Sequence, residues 1–340
     1  MIRALTARRI ATAAAFGGGG LTALGGLTFG LLVVEARLAK RIIQGSATNL
    51  PPVTDGVQGT GFSGEPISFV MIGDSTAAGV GVSVPEETAA RLLAAGLAQI
   101  TCRPVRLTNV AISGSRSEAL ENQVTRALTA APDVACIMIG ANDVTARVPA
   151  AESVRYLESA VRRLRDVGCE VIVGTCPDLG SVKPVMQPLR WIAQRTSRQL
   201  AAAQTVVVVE SGGRSVSLGD LLGRDFARAP GEYFSEDRYH PSARGYSAAA
   251  AAMLPSVSAA LGFEPVTEPR RGEGVLPIHL AAAEAAEEPG TEVSGVEVAG
   301  RESGPRGRWA ALLRRVDRGA SSTHPENQGS VLPEVAPGVA

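Results

Sequence analysis

Ile67-Ser68-Phe69-Val70-Met71-Ile72-Gly73-Asp74-Ser75-Thr76-Ala77-Ala78-Gly79 is the stretch on which the reading of this chain turns. A short apolar run stops abruptly at Gly-Asp-Ser and passes into small residues closed by a glycine. The run is too short for a free-standing helix and is bounded by turn residues, so it predicts a buried strand. Ser75 then sits where a central strand gives way to a loop. In open α/β sheets that carboxyl end of a strand is where ligands bind. Taken alone, the stretch fits equally well a strand-to-helix turn whose Asp or Ser caps the next helix.

Outward from this stretch, strand-like and helix-like segments alternate. Residues 103–110, 133–140, 170–175 and 205–210 are short and rich in Val and Ile. Between them, residues 86–97, 117–130, 150–167 and 184–203 are longer and carry apolar side chains at helical spacing. The alternation predicts βαβ units in a three-layer α/β/α domain over residues 66–263, around a central five-stranded parallel sheet. A domain of that size buries a sufficient core by itself.

The flanks differ in kind. Residues 10–34 carry no charge and lie between Arg3, Arg8, Arg9 and Glu35, Arg37, Lys40, Arg41. As a helix they would extend roughly 37 Å, enough to cross a bilayer core of about 30 Å. No small-x-small cleavage site follows Val34, so residues 1–43 are read as an uncleaved signal-anchor, with a cytoplasmic N-terminus and the domain outside. Residues 44–65, rich in Gly, Pro, Thr and Ser, read as a linker. Residues 264–340 turn to Glu, Pro, Gly and Ala and are expected to be disordered. Within them Arg308 to Val316 is an apolar island with arginines beside it, read as a transient solvated helix or one touching a membrane or partner.

The totals exclude more than they select. The 33 basic and 33 acidic residues balance, leaving no electrostatic footprint for nucleic acid. Cys102, Cys136, Cys169 and Cys176 are too scattered for a zinc pattern. Cys136 and Cys176 lie in or just after apolar strands and are expected in the core, with disulfide pairing left open.

Four pieces carry chemistry, each just past an expected strand or before the last helix. They are Gly73-Asp74-Ser75 with Gly79; Asn109-Val110-Ala111-Ile112-Ser113-Gly114; Gly140-Ala141-Asn142-Asp143; and Asp237-Arg238-Tyr239-His240-Pro241-Ser242. A hydroxyl at its free pKa is a weak nucleophile and needs a base in hydrogen-bond reach, itself oriented by a third group. His240 fits the base, being the one histidine of the expected domain; His279 and His324 lie beyond it. Asp237, three residues earlier, can reach back and fix the tautomer. Pro241 suits the first position of a helix that would hold this loop. The backbone N–H groups of Ser75 and Gly114 and the amide of Asn142 are the donors available for a developing oxyanion.

Together these residues resemble the SGNH (GDSL-type) hydrolase family in an exported or membrane-anchored bacterial member. The resemblance covers residues 66–263. It implies a flavodoxin-like α/β/α fold, Ser75 as nucleophile, Gly114 and Asn142 as oxyanion donors, and His240 as base with Asp237 its partner. Ala111 departs from the family's second block, which usually carries another glycine there. The Gly-x-Ser-x-Gly elbow of α/β-hydrolases is absent.

The reading is therefore a serine esterase or lipase-like hydrolase cleaving carboxylic esters through an acyl-enzyme on Ser75, without metal or organic cofactor. Its substrate would be a small-molecule, lipid or glycan ester, met at the membrane or outside the cell. The same site could transfer acyl groups to envelope glycans or lipids. A non-catalytic envelope binding protein would lack one of Ser75, Asp237 and His240, and all are present. A phosphate cradle at the turn after Gly73 would want a Lys or Arg that residues 73–84 do not supply. The loop over residues 177–189, with Met186, is expected to form an apolar wall of the acyl pocket.

Overall fold

The computed structural model describes residues 50–182, 186–219, 229–263, 274–288 and 290–314. Its centre is β2 (Ile67–Gly73), buried at every position. Successive side chains of a strand point to opposite faces, and here both faces are covered. Phe69 and Met71 join one core with Leu93, Leu97, Tyr246 and Met253. Val70 and Ile72 join another with Val124, Leu157, Val161 and Val208. A strand covered on both sides reads as a continuous apolar run rather than as an alternation, which is why this stretch was so legible.

Parallel to β2 run β3 (Val105–Asn109) on one side and β4 (Val134–Met138) on the other, followed outward by β5 (Glu170–Gly174) and β6 (Arg214–Val216). Helix α1 (Ser75–Ala78) follows β2 directly. Helix α2 (Ala89–Thr101) packs over the first face, while α3 (Leu120–Leu128), α5 (Ala150–Arg165) and α6 (Leu189–Glu210) cover the second. The short α4 (Ala141–Thr145) follows β4, and α7 (Pro230–Tyr233) leads to α8 (Ala243–Ala260), which joins α2 on the first face. The expected five parallel strands and three layers are thus present.

Their surroundings depart from the sequence reading in several places. Residues 205–210 are the last turns of α6, and the fifth parallel strand is β6. A Val run fits a strand or a buried helix flank equally well by pattern; here Val208 and Val209 are buried against neighbouring elements, and that packing decides. The expected linker folds from Leu50 onward: β1 (Gly56–Gln58) pairs antiparallel with β3, and Thr54 is buried.

The largest departure lies past residue 273, where disorder was expected. There β7 (Gly274–Pro277), α9 (Ile278–Glu287), β8 (Thr291–Gly295), β9 (Ser303–Gly304) and β10 (Gly307–Arg314) extend the sheet beyond β6 in the order β6-β8-β10-β7. These strands pair antiparallel, β8 on β6 and β10 on both β8 and β7. Residues 308–314 of the island are therefore part of a strand: Ala310 and Leu312 are buried, while their neighbours Ala311 and Leu313 are not. Helix α9 packs through Ile278, Ala281 and Ala285 against Val209, Val293 and Leu312. At the seam Glu292 of β8 is fully buried and accepts from Arg214 Nη1 of β6 at 2.8 Å and from Ser256 Oγ of α8 at 2.8 Å.

All four cysteines are free thiols; Cys136, Cys169 and Cys176 are buried as small core residues and Cys102 is exposed. Burial pushes the Cys169 thiol up to about 12. Among the described residues no helix is long and apolar enough to cross a membrane. The uncharged run at 10–34 lies outside the described residues.

Candidate active site

At the end of β2 the chain turns through Gly73, whose φ is +142°. A Cβ there would stand 1.9 Å from the carbonyl oxygen of Met138 on β4, so only glycine lets the two strand ends approach this closely. Asp74 N–H donates to that same Met138 carbonyl at 3.1 Å. The Asp74 carboxylate caps α1, Oδ1 accepting from Thr76 N–H at 2.9 Å. Burial lifts the Asp74 carboxyl from its ordinary 3.8 to about 6, against the opposing pull of Thr76 and His240. Ser75 is thereby set at the first position of α1, 6 % exposed.

The second arm arrives from the loop before α8. His240 Nε2 lies 2.9 Å from Ser75 Oγ, and His240 Nδ1 lies 2.5 Å from Asp237 Oδ2. The carboxylate holds the ring proton on Nδ1, which leaves Nε2 free to accept from the serine hydroxyl. Asp237 Oδ1 is filled by Ser235 Oγ at 2.8 Å and by the N–H groups of Tyr239 and His240 at 2.8 and 2.9 Å. Burial works against ionisation of Asp237, but the hydrogen bonds from His240 and Tyr239 outweigh it and hold the carboxyl down at about 2.

The loop carrying these two residues is closed on itself. Ser235 N–H donates to the His240 carbonyl, Phe234 bridges Pro241, and Ser242 caps α8. Pro241 precedes that cap, so it lies outside the helix it was expected to begin. The Tyr239 ring stands edge-on to the imidazole at 4.9 Å between centroids. Tyr246 of α8 donates its hydroxyl to the Val80 carbonyl at 2.6 Å, tying the histidine arm to the segment after α1.

The third arm is the loop between β3 and α3. Gly114 adopts φ +81° with open space around the position of an absent Cβ. Asn142 Nδ2 donates to the carbonyl of Ser115, next to Gly114, at 3.0 Å. Asn142 spends one amide proton on holding that loop, and an amide carries a second. Asp143 supports the same loop: both its oxygens accept from Ser117 N–H at 3.1 Å, and Oδ1 accepts from Ser153 Oγ at 2.9 Å. In the sequence Asp143 stands beside Asn142 with no role of its own. At the loop's start, Asn109 accepts from Ala111 N–H and donates to Thr54 Oγ1 and the Ala77 carbonyl.

All five residues singled out from the sequence thus gather at the carboxyl edge of the parallel strands. Ser75, His240 and Asp237 form a bonded series, and Gly114 and Asn142 meet through Ser115. Such a series can activate a hydroxyl at neutral pH and present N–H donors to a carbonyl oxygen. Beside it lies an apolar cavity of about 50 Å³, bounded by Asp74 and Thr76 on either side of the serine and lined by Met138, Leu179, Val182 and Phe234. The loop after β5 contributes to that wall as expected, but Met186 does not: it is 54 % exposed. Among the described residues no group of three or more His, Cys, Asp or Glu is placed to hold a metal ion.

Residues 71–248 match the family described as the GDSL-like Lipase/Acylhydrolase family. A GDSL-like esterase of Mycobacterium tuberculosis is 42 % identical over 254 residues, which cover 71 % of this chain and 79 % of that protein. Among solved structures, an acetyl xylan esterase from Geobacillus stearothermophilus is similar at 20 % identity and a TM-score of 0.42, covering 60 % of this chain and 99 % of that one. A lipase/acylhydrolase from Enterococcus faecalis is similar at 21 % identity and a TM-score of 0.42, covering 57 % of this chain and 96 % of that one.

Proposed function

Since the chain belongs to the GDSL-like lipase/acylhydrolase (SGNH) family and is a serine ester hydrolase, we propose that Ser75, His240 and Asp237 carry its reaction, with the N–H groups of Ser75 and Gly114 and the amide of Asn142 as oxyanion donors. Ser75 Oγ adds to the ester carbonyl carbon while its proton passes to His240 Nε2. Asp237, ionised throughout, steadies the imidazolium. The tetrahedral oxyanion is held by the three donors. Its collapse breaks the ester bond, and the leaving alkoxide takes the proton from Nε2. Water then gives a proton to Nε2 as it adds to the acyl-Ser75. The second collapse releases the carboxylic acid and returns the proton to Ser75. The observation that carries this reading is the unbroken series from Asp237 Oδ2 through both imidazole nitrogens to Ser75 Oγ, at 2.5 and 2.9 Å.

The acyl group enters the apolar cavity beside Ser75, whose volume of about 50 Å³ favours short chains. The enzyme works at the outer side of a membrane, held by the uncharged run at residues 10–34. The anchoring is supported by the length of the run and by the charged residues that bound it.

The test is hydrolysis of p-nitrophenyl acetate, butyrate and octanoate by the detergent-solubilised full chain, beside Ser75→Ala and His240→Ala. Turnover should fall by about 10³-fold or more in both variants while the circular dichroism stays unchanged. Activity surviving in Ser75→Ala would overturn the nucleophile, and octanoate outpacing acetate would overturn the short pocket. Recovery of the chain in the aqueous fraction after cell lysis would overturn the anchor.

A further inference from the structure

One fully buried side chain at the site belongs to none of the roles above. Gln123 projects from α3 and is 0 % exposed. Its Oε1 accepts from Gly73 N–H at 2.8 Å, and its Nε2 donates to the Gly73 carbonyl at 2.9 Å and to Ser115 Oγ at 3.1 Å. Gly73 is the last residue of β2, two before Ser75. On the β4 side it is in register with Met138. On the other side pairing with β3 ends at Met71 and Asn109, where the β3 chain turns away. Beyond that point the Gly73 carbonyl keeps a bond from Ile112 N–H at 3.1 Å. The peptide N–H of Gly73 would be orphaned inside the protein without a side-chain acceptor.

We propose that Gln123 is a positioning residue of the oxyanion hole: its amide takes the place of a strand peptide beside Gly73 and, through Ser115, fixes the Gly114 loop to the end of the nucleophile strand. A planar amide is the group that does this, because it offers an acceptor and two donors in fixed geometry. Ser115 is the junction. Its hydroxyl receives Gln123 and its carbonyl receives Asn142 Nδ2. Ser75, Gly114 and Asn142 come from three separate segments, and this path joins all three. Oxyanion donors act by standing ready where charge develops, so a small drift between segments costs transition-state stabilisation and leaves ground-state binding nearly untouched.

The inference rests on the proposed roles of Ser75, Gly114 and Asn142, and its test separates the two. In the full chain, Gln123→Met keeps the volume and removes all three hydrogen bonds, and Ser115→Ala cuts only the link to the loop. Steady-state kinetics on p-nitrophenyl acetate are paired with the affinity for a trifluoromethyl ketone, whose adduct with serine carries an oxyanion. The expected result for Gln123→Met is a kcat lowered about 10²-fold with KM within about threefold, and ketone affinity falling in step with kcat/KM. Ser115→Ala should lower kcat about tenfold with KM unchanged, and it decides the matter if Gln123→Met does not fold. Wild-type kcat and ketone affinity in a folded Gln123→Met or in Ser115→Ala overturn the positioning role, as does a loss confined to thermal stability. Activity retained by Ser75→Ala in the same assay overturns the catalytic reading instead.

Discussion

From β3 to β6 the sheet is parallel, and all five candidate site residues lie in segments that follow one of its strands; from β6 through β8 and β10 to β7 it is antiparallel and supplies none of them. The contrast follows from how strands are connected. A parallel strand must be reached by a crossover, so the segments leaving β2, β3 and β4 emerge at one edge and can converge. Antiparallel neighbours send their connections to alternate ends, and no such gathering occurs. What the added half supplies is cover. It pairs the open side of β6, buries Val209 against Ile278, Ala281 and Leu312, and seats Glu292 at the seam.

Substitutions in the two halves should therefore separate activity from stability. The largest expected effect is on the parallel side. Asp237→Asn keeps the shape of the side chain but no longer forces the imidazole proton onto Nδ1, and kcat of the folded protein should fall about 10⁴-fold. A loss under tenfold would show that the tautomer is set by something else. Next comes Leu312→Ala in β10, 2 % exposed. It should lower unfolding free energy by about 3 kcal/mol, measured by urea titration, with kcat unchanged in the folded fraction. A kcat that drops while stability holds would erase the division between the halves.

The smallest effect sharpens the contrast within the site, where two carboxyls are pushed in opposite directions. Asp74 titrates at about 6 in the folded chain against 3.8 ordinarily, so the folded state keeps a proton that the unfolded chain has released. Stability consequently declines as pH rises from about 4 to 6 and stays lower above that. Asp237, held at about 2, does the reverse: its contribution is full above about 4 and is lost as pH falls through 2. Asp74→Asn should retain the cap on α1 and flatten the decline, gaining on the order of 2 kcal/mol over the wild type at pH 8 and little at pH 4. An equal gain at both pH values would locate the benefit elsewhere.

How much of this could be seen in the sequence followed the same division. A strand buried on both faces announces itself as an apolar run between turn residues, and β2, β4 and β5 did; β3, with Arg106 exposed, shows only Val105 and Leu107 as its buried apolar residues. The chemical residues were legible because each needs a particular side chain: a hydroxyl, an imidazole, a carboxylate, an amide, a glycine. The added half hid for the opposite reason. Strand β8 reads Thr-Glu-Val-Ser-Gly and α9 is half alanine, so their buried faces look like the solvated composition around them. Glu292 in particular looks like surface and is wholly buried, a fact that depends on Arg214 and Ser256 far along the chain. Gln123 was hidden likewise, since a glutamine within a helix carries no signal of the strand end 50 residues away that it meets.

Cys102 closes α2 in a left-handed conformation, φ +50°, just before β3 begins. It is the exposed one of four thiols. Because β2 and β3 run parallel and the triad lies past their far ends, Cys102 sits at the opposite rim of the sheet, a strand length of roughly 20 Å or more from Ser75. A single maleimide would thus tether the enzyme to a bead or an electrode with its catalytic rim turned outward, and a dye placed there would report on tumbling without entering the active site.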